Sequence, residues 1–254
     1  MESFTGETLL ALTAQQQSQP LSGRFTPVWL CYQLRAGPRL WRCARPETIR
    51  GGVLAAEDGP LVGPPGDWSV CCAQAVRECA ARGAQGFWAN WERPPDSSMT
   101  AFTAALEESL REAGVTLYVN EPYAACTKRA RVFLSSALSG GTLKGRLCAA
   151  LERWGRERLV LAVERMGEDF TLPAPDGQGQ PLGYPRAAEL ARQRGAAVHR
   201  SEELCASYFT YAQGEQTHLV LFDTDEDVRT KLRLAQRLGV ERLLLAQSEL
   251  GGLR

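Results

Sequence analysis

The sequence predicts an α/β fold, a (β/α)8 barrel of irregular build, and three observations carry that expectation. Short apolar strands alternate with amphipathic helices along most of the chain, which implies a parallel sheet with helical crossovers. About eight strands can be counted, the number that closes a barrel. Most of them end in polar side chains at the carboxyl edge, where a barrel gathers its active site. A doubly wound open sheet is the other architecture such alternation allows, but no strand is followed by a GxGxxG or GxxxxGK[ST] loop.

In chain order, residues 1–23 are polar, with Gln15 to Gln19 and Pro20, and read as an N-terminal arm, loose or shortly helical. A single barrel domain is expected over 24–254. Thr26 to Tyr32 is rich in β-formers and predicts a buried strand; Gly52 to Ala56 is a weaker one. A Gly/Pro stretch from Gly59 to Gly66 leads to a helix over Asp67 to Arg82, stopped by Gly83. After the strand at 86–92, Pro94 to Ser98 forms a loop with good N-cap chemistry. Phe102, Leu106 and Leu110 then stripe a helix over 98–113. Strands follow at Val115 to Val119 and Arg131 to Leu134, a helix from Gly140-Gly141-Thr142 to Trp154, and a strand at Arg158 to Val163. A Gly/Pro-rich loop from Pro173 to Gly183 precedes a helix over 185–194. Tyr208 to Tyr211 and His218 to Phe222 flank Gly214 and break the alternation as a hairpin or bent strand. A helix over 225–238 and a strand at Arg242 to Ala246 close the pattern.

The chain has 254 residues and a formal net charge of +0, from 29 basic and 29 acidic side chains. That balance gives no electrostatic support to a nucleic-acid or anionic-membrane partner. No apolar run approaches the ~20 residues that span a bilayer. The start Met1-Glu2-Ser3-Phe4 lacks the basic opening of a secretory signal, so a cytoplasmic location is expected. Eight cysteines show no CxxC pair, and there are only two histidines. Reduced, structural thiols are expected, with no metal and no cofactor.

The densest chemical signal is Gly86-Phe87-Trp88-Ala89-Asn90-Trp91-Glu92. On an extended chain Phe87, Ala89 and Trp91 share one face, and Trp88, Asn90 and Glu92 the other. A carboxylate flanked by two indoles is costly to ionise unless paired or solvated, and a catalytic proton donor needs that property. The alternative is an edge strand whose Glu92 simply reaches water. Other strand ends are polar as well: Glu57 and Asp58, Asn120 and Glu121, Ser135 and Ser136, Glu164, Asp223 and Gln247. Glu92, Glu121 and Glu164 stand out because each closes or follows an apolar run.

Gln85-Gly86-Phe87-Trp88-Ala89-Asn90-Trp91-Glu92 resembles the signature strand of family 18 glycoside hydrolases, D-G-φ-D-φ-D-x-E with φ apolar. Gly86, Phe87 and Glu92 match, Asn90 stands where an aspartate is usual, and Gln85 and Trp88 replace the outer aspartates. The N-x-E ending also resembles family 85. His218 to Asp223, Val228, Lys231-Leu232 and Gly239 are similar to the closing segment of spore-cortex and peptidoglycan relatives of family 18. The resemblance implies a TIM barrel that cleaves N-acetylglucosamine-containing glycans, peptidoglycan or chitin-like, by substrate-assisted retention. It makes Glu92 the general acid/base and Asn90 the group that positions the substrate acetamide. Trp88, Tyr32, Glu121, Tyr123, Glu164, Tyr211 and Gln247 are the candidate substrate-binding residues, with Tyr208 a further neighbouring tyrosine. The family's later tyrosine-aspartate pair is missing from Phe133-Leu134-Ser135-Ser136, and Gln247 lies near the place of its terminal tryptophan. Two alternatives follow: a barrel that binds glycan or a protein partner without turnover, and an unrelated barrel enzyme using Glu121, Glu164 or Asp169 with a divalent metal. Glu164-Arg165 with Asp169-Phe170 reads as an internal ion pair in preference to a second rim constellation.

Overall fold

The computed structural model describes residues 4–13, 16, 24–35, 37, 39–43, 49–59, 67–175 and 177–247. The loop expected over 59–66 lies outside these residues beyond Gly59, as do residues 1–3, 14, 15 and 17–23 of the expected arm. In chain order the elements begin with strands β1 (Glu7–Leu12), β2 (Thr26–Arg35), β3 (Arg39–Arg42) and β4 (Val53–Asp58). Helix α1 (Trp68–Arg82), β5 (Gly86–Asn90), α2 (Ser97–Glu112), β6 (Thr116–Asn120), a 3-10 turn at Glu121–Cys126 and β7 (Arg131–Ser135) follow. Next come α3 (Leu143–Trp154), β8 (Leu159–Val163), β9 (Gly167–Leu172), β10 (Gln180–Pro181), α4 (Tyr184–Arg194) and β11 (His199–Ser201). The last elements are β12 (Ala206–Gln213), β13 (Gln216–Phe222), α5 (Asp225–Arg237) and β14 (Arg242–Ala246).

Eight of these strands pair in parallel in the order β1-β2-β4-β5-β6-β7-β8-β14, and β14 returns to β1, closing a (β/α)8 barrel. The expected count is met with one different member. The segment read as an N-terminal arm supplies β1, and the region read as a bent strand leaves the barrel altogether. β1 is seated by apolar Leu9, Leu10 and Leu12, all fully buried, and by Glu7, whose carboxylate meets Arg131 and Arg242 at 3.2 Å each.

Residues Gly167 to Phe222 form a five-stranded antiparallel sheet, β10-β9-β13-β12-β11, inserted between β8 and α5. One face of this insertion packs under α4 through Phe209, Val220 and Phe222 against Ala187 and Ala191. The other face carries Phe170 and Leu221 with Ala137 of the β7–α3 loop. Its two ends are fastened at one point. Asp223 accepts the Met166 N–H at 2.7 Å and the Lys231 ammonium at 2.6 Å, and both charged side chains are buried.

The helices start and stop where the sequence directs. Asp67, Asp96 and Thr142 each accept a backbone N–H of the first turn of α1, α2 and α3, and α5 opens on a Thr224–Asp227 capping box. Two apolar layers result, one between strands and helices and one inside the barrel. The inner layer contains Val53, Trp88, Tyr118, Phe133, Val160 and Leu244. Gly86 makes room for it, because a Cβ there would lie 2.8 Å from the Tyr118 ring and 2.9 Å from Val53.

Candidate active site

Period-two alternation fixes which strand ends look inward. Val53 and Ala55, Trp88, Tyr118, Phe133, and Val160 and Ala162 fill the lumen. Two residues beyond the last of these on each strand, Glu57, Asn90, Asn120, Ser135 and Glu164 stand above it at the carboxyl rim. Glu57 is in register with Asn90, whereas the later strands step upward by two residues each, Asn120 pairing with Phe133 and Ser135 with Ala162.

A hydrogen-bonded relay orders the centre of this rim. The Trp88 indole N–H donates to Asn120 Oδ1 at 3.0 Å, and Asn120 Nδ2 donates to Asn90 Oδ1 at 2.9 Å and to the Trp91 carbonyl at 3.1 Å. An indole nitrogen can only donate. It therefore fixes the orientation of the Asn120 amide, which in turn fixes that of Asn90. The Asn90 NH2 group is left facing away from the relay, with no partner among the described residues. Sequence reasoning included Asn120 only as a polar strand end. The signal for its role was the pair of asparagines closing two consecutive strands.

Glu92 follows on the turn that leaves β5. Its backbone N–H donates to Asp58 at 2.8 Å, the next N–H, of Arg93, donates to the same carboxylate at 3.0 Å, and the Arg93 guanidinium pairs with it at 3.0 Å. Burial alone would raise the Asp58 carboxyl, but these donors and the Arg93 charge outweigh it and hold it below the ordinary carboxylate range. The Tyr123 hydroxyl donates to the Arg93 carbonyl at 3.0 Å and braces the turn from beneath. The Glu92 side chain is exposed. The poor hydration expected from two flanking indoles is not met, because Trp91 turns outward to Phe102 and Thr103 of α2 while Trp88 lies in the lumen. Burial first, and then the negative charges of Glu92 and Asp58, raise the Glu57 carboxyl.

The remaining candidates divide. Trp88 underlies the rim beside Asn90. Glu164 reaches it and accepts the Ser135 hydroxyl at 2.5 Å, and Gln247 sits half-buried just past β14. Tyr32 does not belong there. A bulge between Leu30 and Tyr32 turns its ring outward, where it is buried and its hydroxyl donates to Glu78 of α1. Tyr123 is fully buried and acts through the Arg93 turn, not on a ligand's surface. Tyr211 lies on the α4 side of the insertion, its hydroxyl on Asp169 at 2.7 Å, whereas Tyr208 is on the barrel side. Glu121 pairs with Arg146 of α3. In place of the ion pair expected around Glu164-Arg165, Arg165 pairs with Asp225, and Asp169 is hydrogen-bonded to His218 at 3.0 Å.

Glu121, Glu164 and Asp169 thus have separate partners, and among the described residues no three His, Cys, Asp or Glu side chains are grouped to hold a metal. All eight cysteines are unbonded, and burial pushes the Cys31, Cys71 and Cys79 thiols up to about 12, which makes them poor nucleophiles. A cavity of about 590 Å³ lined by Lys144, Arg200, Glu203, Cys205 and Arg237 lies between α3 and α5 and contains no rim residue.

The fold is shared with solved glycan-degrading enzymes. It is similar to a chitinase from Chromobacterium violaceum ATCC 12472, with a TM-score of 0.66 and 15% identity over 98% of each chain. The spore cortex-lytic enzyme SleL of Bacillus megaterium QM B1551 superposes with a TM-score of 0.63 and 16% identity, over 95% of this chain and 70% of that one. A class V chitinase from Nicotiana tobaccum gives 0.62 and 12% identity over 98% of this chain and 95% of its own, and a variant of it is known in complex with NAG4. No protein-family model matches the sequence, and no curated protein matches it. At such identities these likenesses establish the barrel fold.

Proposed function

We propose that this chain is a glycoside hydrolase-like protein that cleaves N-acetylglucosamine-containing glycans by substrate-assisted retention. Glu92 protonates the glycosidic oxygen, and the substrate's acetamide oxygen attacks the anomeric carbon. Asn90 holds that acetamide. The observation that carries this reading is the Trp88–Asn120–Asn90 relay, which leaves a pair of amide donors on the rim two residues before an exposed carboxyl. Those donors suit the acetamide carbonyl oxygen. Asn90 cannot balance the positive charge of the oxazolinium that forms. Glu57, in register beside it, supplies a carboxylate for that purpose. The fold's likeness to chitinases and to SleL supports the same substrate class.

The setting we propose is cytoplasmic, on glycan fragments, in keeping with eight unbonded cysteines. Among the described residues no helix is long and apolar enough to cross a membrane. One observation favours a second reading, glycan binding without turnover. The lumen beneath Asn90 is filled by Trp88, Tyr118 and Phe133, so among the described residues no inner carboxylate supports the pair. Reducing-end release from chitotetraose and from peptidoglycan fragments separates the two. Hydrolysis that Glu92→Gln abolishes, with the circular dichroism spectrum unchanged, supports the enzyme. Equal rates in both proteins reject the role of Glu92, and saturable binding without product supports the second reading.

A further inference from the structure

Trp41 is 52% exposed, although it stands on a hairpin built for rigidity. The β2–β3 hairpin is clamped at three points. Gln74 of α1 holds both polar backbone groups of Leu40, donating to its carbonyl at 2.7 Å and accepting its N–H at 3.0 Å. Arg42 pairs with Glu78 at 2.7 Å. The Gly59 N–H donates to the Leu34 carbonyl at 2.9 Å, a closeness that only glycine allows, because a Cβ would lie 2.9 Å from that oxygen. Gly59 in turn accepts the Arg93 guanidinium at 3.0 Å, so the hairpin is tied directly to the turn that carries Glu92.

The register defines the direction in which this indole lies from the rim. Trp41 opposes Gln33 across the hairpin, Gln33 pairs with Glu57, and Glu57 pairs with Asn90. Residues in register share a face, so the four side chains form one row across β3, β2, β4 and β5. Strands lie about 4.8 Å apart, which puts the indole roughly 14 Å along the row from the Asn90 amide. The Arg35 guanidinium sits over the Trp41 ring at 5.2 Å and also donates to Gln33 at 2.8 Å, fixing the ring's tilt. Leaving half of a large apolar ring in water on a frame braced this heavily stabilises nothing in the isolated chain.

We propose that Trp41 is a stacking platform for a distal sugar ring of an oligosaccharide whose reacting unit sits at Asn90 and Glu92. The apolar face of a pyranose lies on the indole, and Gln33 and Arg35 offer hydrogen bonds to the hydroxyls at its rim. The ligand is therefore an oligomer long enough to reach from β5 to β3, not a single sugar or a disaccharide. This inference rests on the glycan reading of the rim, and its test is made on binding so that it does not depend on turnover.

Calorimetric titration of chitotetraose and chitobiose into the Glu92→Gln protein, with and without Trp41→Ala, decides it. The expected result is a clear preference for the tetrasaccharide that falls about tenfold with Trp41→Ala, equivalent to about 1.4 kcal/mol, and is largely kept by Trp41→Phe. An exposed side chain can be removed without opening the core, and circular dichroism checks that both variants fold. An unchanged preference in Trp41→Ala overturns the platform while leaving the catalytic reading standing. A Trp41-dependent preference in a chain that hydrolyses nothing keeps the platform and overturns the catalytic reading. Absence of chitotetraose binding overturns both.

Discussion

Replacing Asp58 by asparagine tests whether the Glu92 turn is held as described. Asp58 is 6% exposed at its side chain and accepts three hydrogen bonds, from the N–H groups of Glu92 and Arg93 and from the Arg93 guanidinium. Asparagine keeps one acceptor oxygen, so at least one of these donors loses its partner and Arg93 loses its counter-charge. A hydrogen bond to a charged group contributes about 1.5–3 kcal/mol, and removing one side of a buried ion pair adds to that loss. A cost of about 3 kcal/mol follows, lowering the melting temperature by roughly 6–12 °C. The pH dependence carries a sign. Because the folded state holds the Asp58 carboxyl below its unfolded value, its contribution is complete above about pH 4 and is lost as pH falls through the depressed folded value. Urea unfolding of wild type and Asp58→Asn should therefore show a gap at pH 7 that narrows below pH ~3. Coincident curves at pH 7, or a gap undiminished in acid, would refute this account of the turn.

Glu57→Gln should act in the opposite sense. Burial and the charges of Glu92 and Asp58 raise the Glu57 carboxyl, so its ionised form opposes folding as pH rises through that value. The variant should melt higher than wild type at pH 7 and equally at about pH 4, and a scanning-calorimetry series that shows no such divergence contradicts the placement. Lys231→Met leaves the Asp223 carboxylate buried without its cation and should cost about 3–5 kcal/mol, measured by urea unfolding. Adding Asp223→Asn should recover part of that loss; a Lys231→Met protein of wild-type stability would show that the pair does not clamp the insertion.

Much of the barrel was legible because its strands and caps are local signals. Asp67, Thr142, Gly83 and the apolar runs at 117–119, 132–134 and 159–163 act within a few residues of where they sit. β1 was not legible. Leu9 to Leu12 is short, and its place depends on pairing with β14 and on Glu7 meeting arginines at 131 and 242, contacts remote in sequence. The insertion was hidden for a similar reason. β9 and β13 pair across the whole of α4, and the strand-like signal at 218–222 is the same whether it joins a barrel or a separate sheet. At the site, the strand alternation correctly put Asn90 at the rim. It said nothing of the Asn120 amide, because side-chain relays between neighbouring strands follow register, which the sequence does not state. Tyr32, a candidate substrate-binding residue, is turned to the helix layer by a single bulge, which the sequence does not announce.

Proton NMR of the first sugar released from chitotetraose tests the substrate-assisted mechanism most directly. Cleavage through an oxazolinium held by Asn90 must give the β-anomer before mutarotation, and none with Glu92→Gln. An initial α-anomer, or the same product from the Glu92→Gln protein, would contradict it.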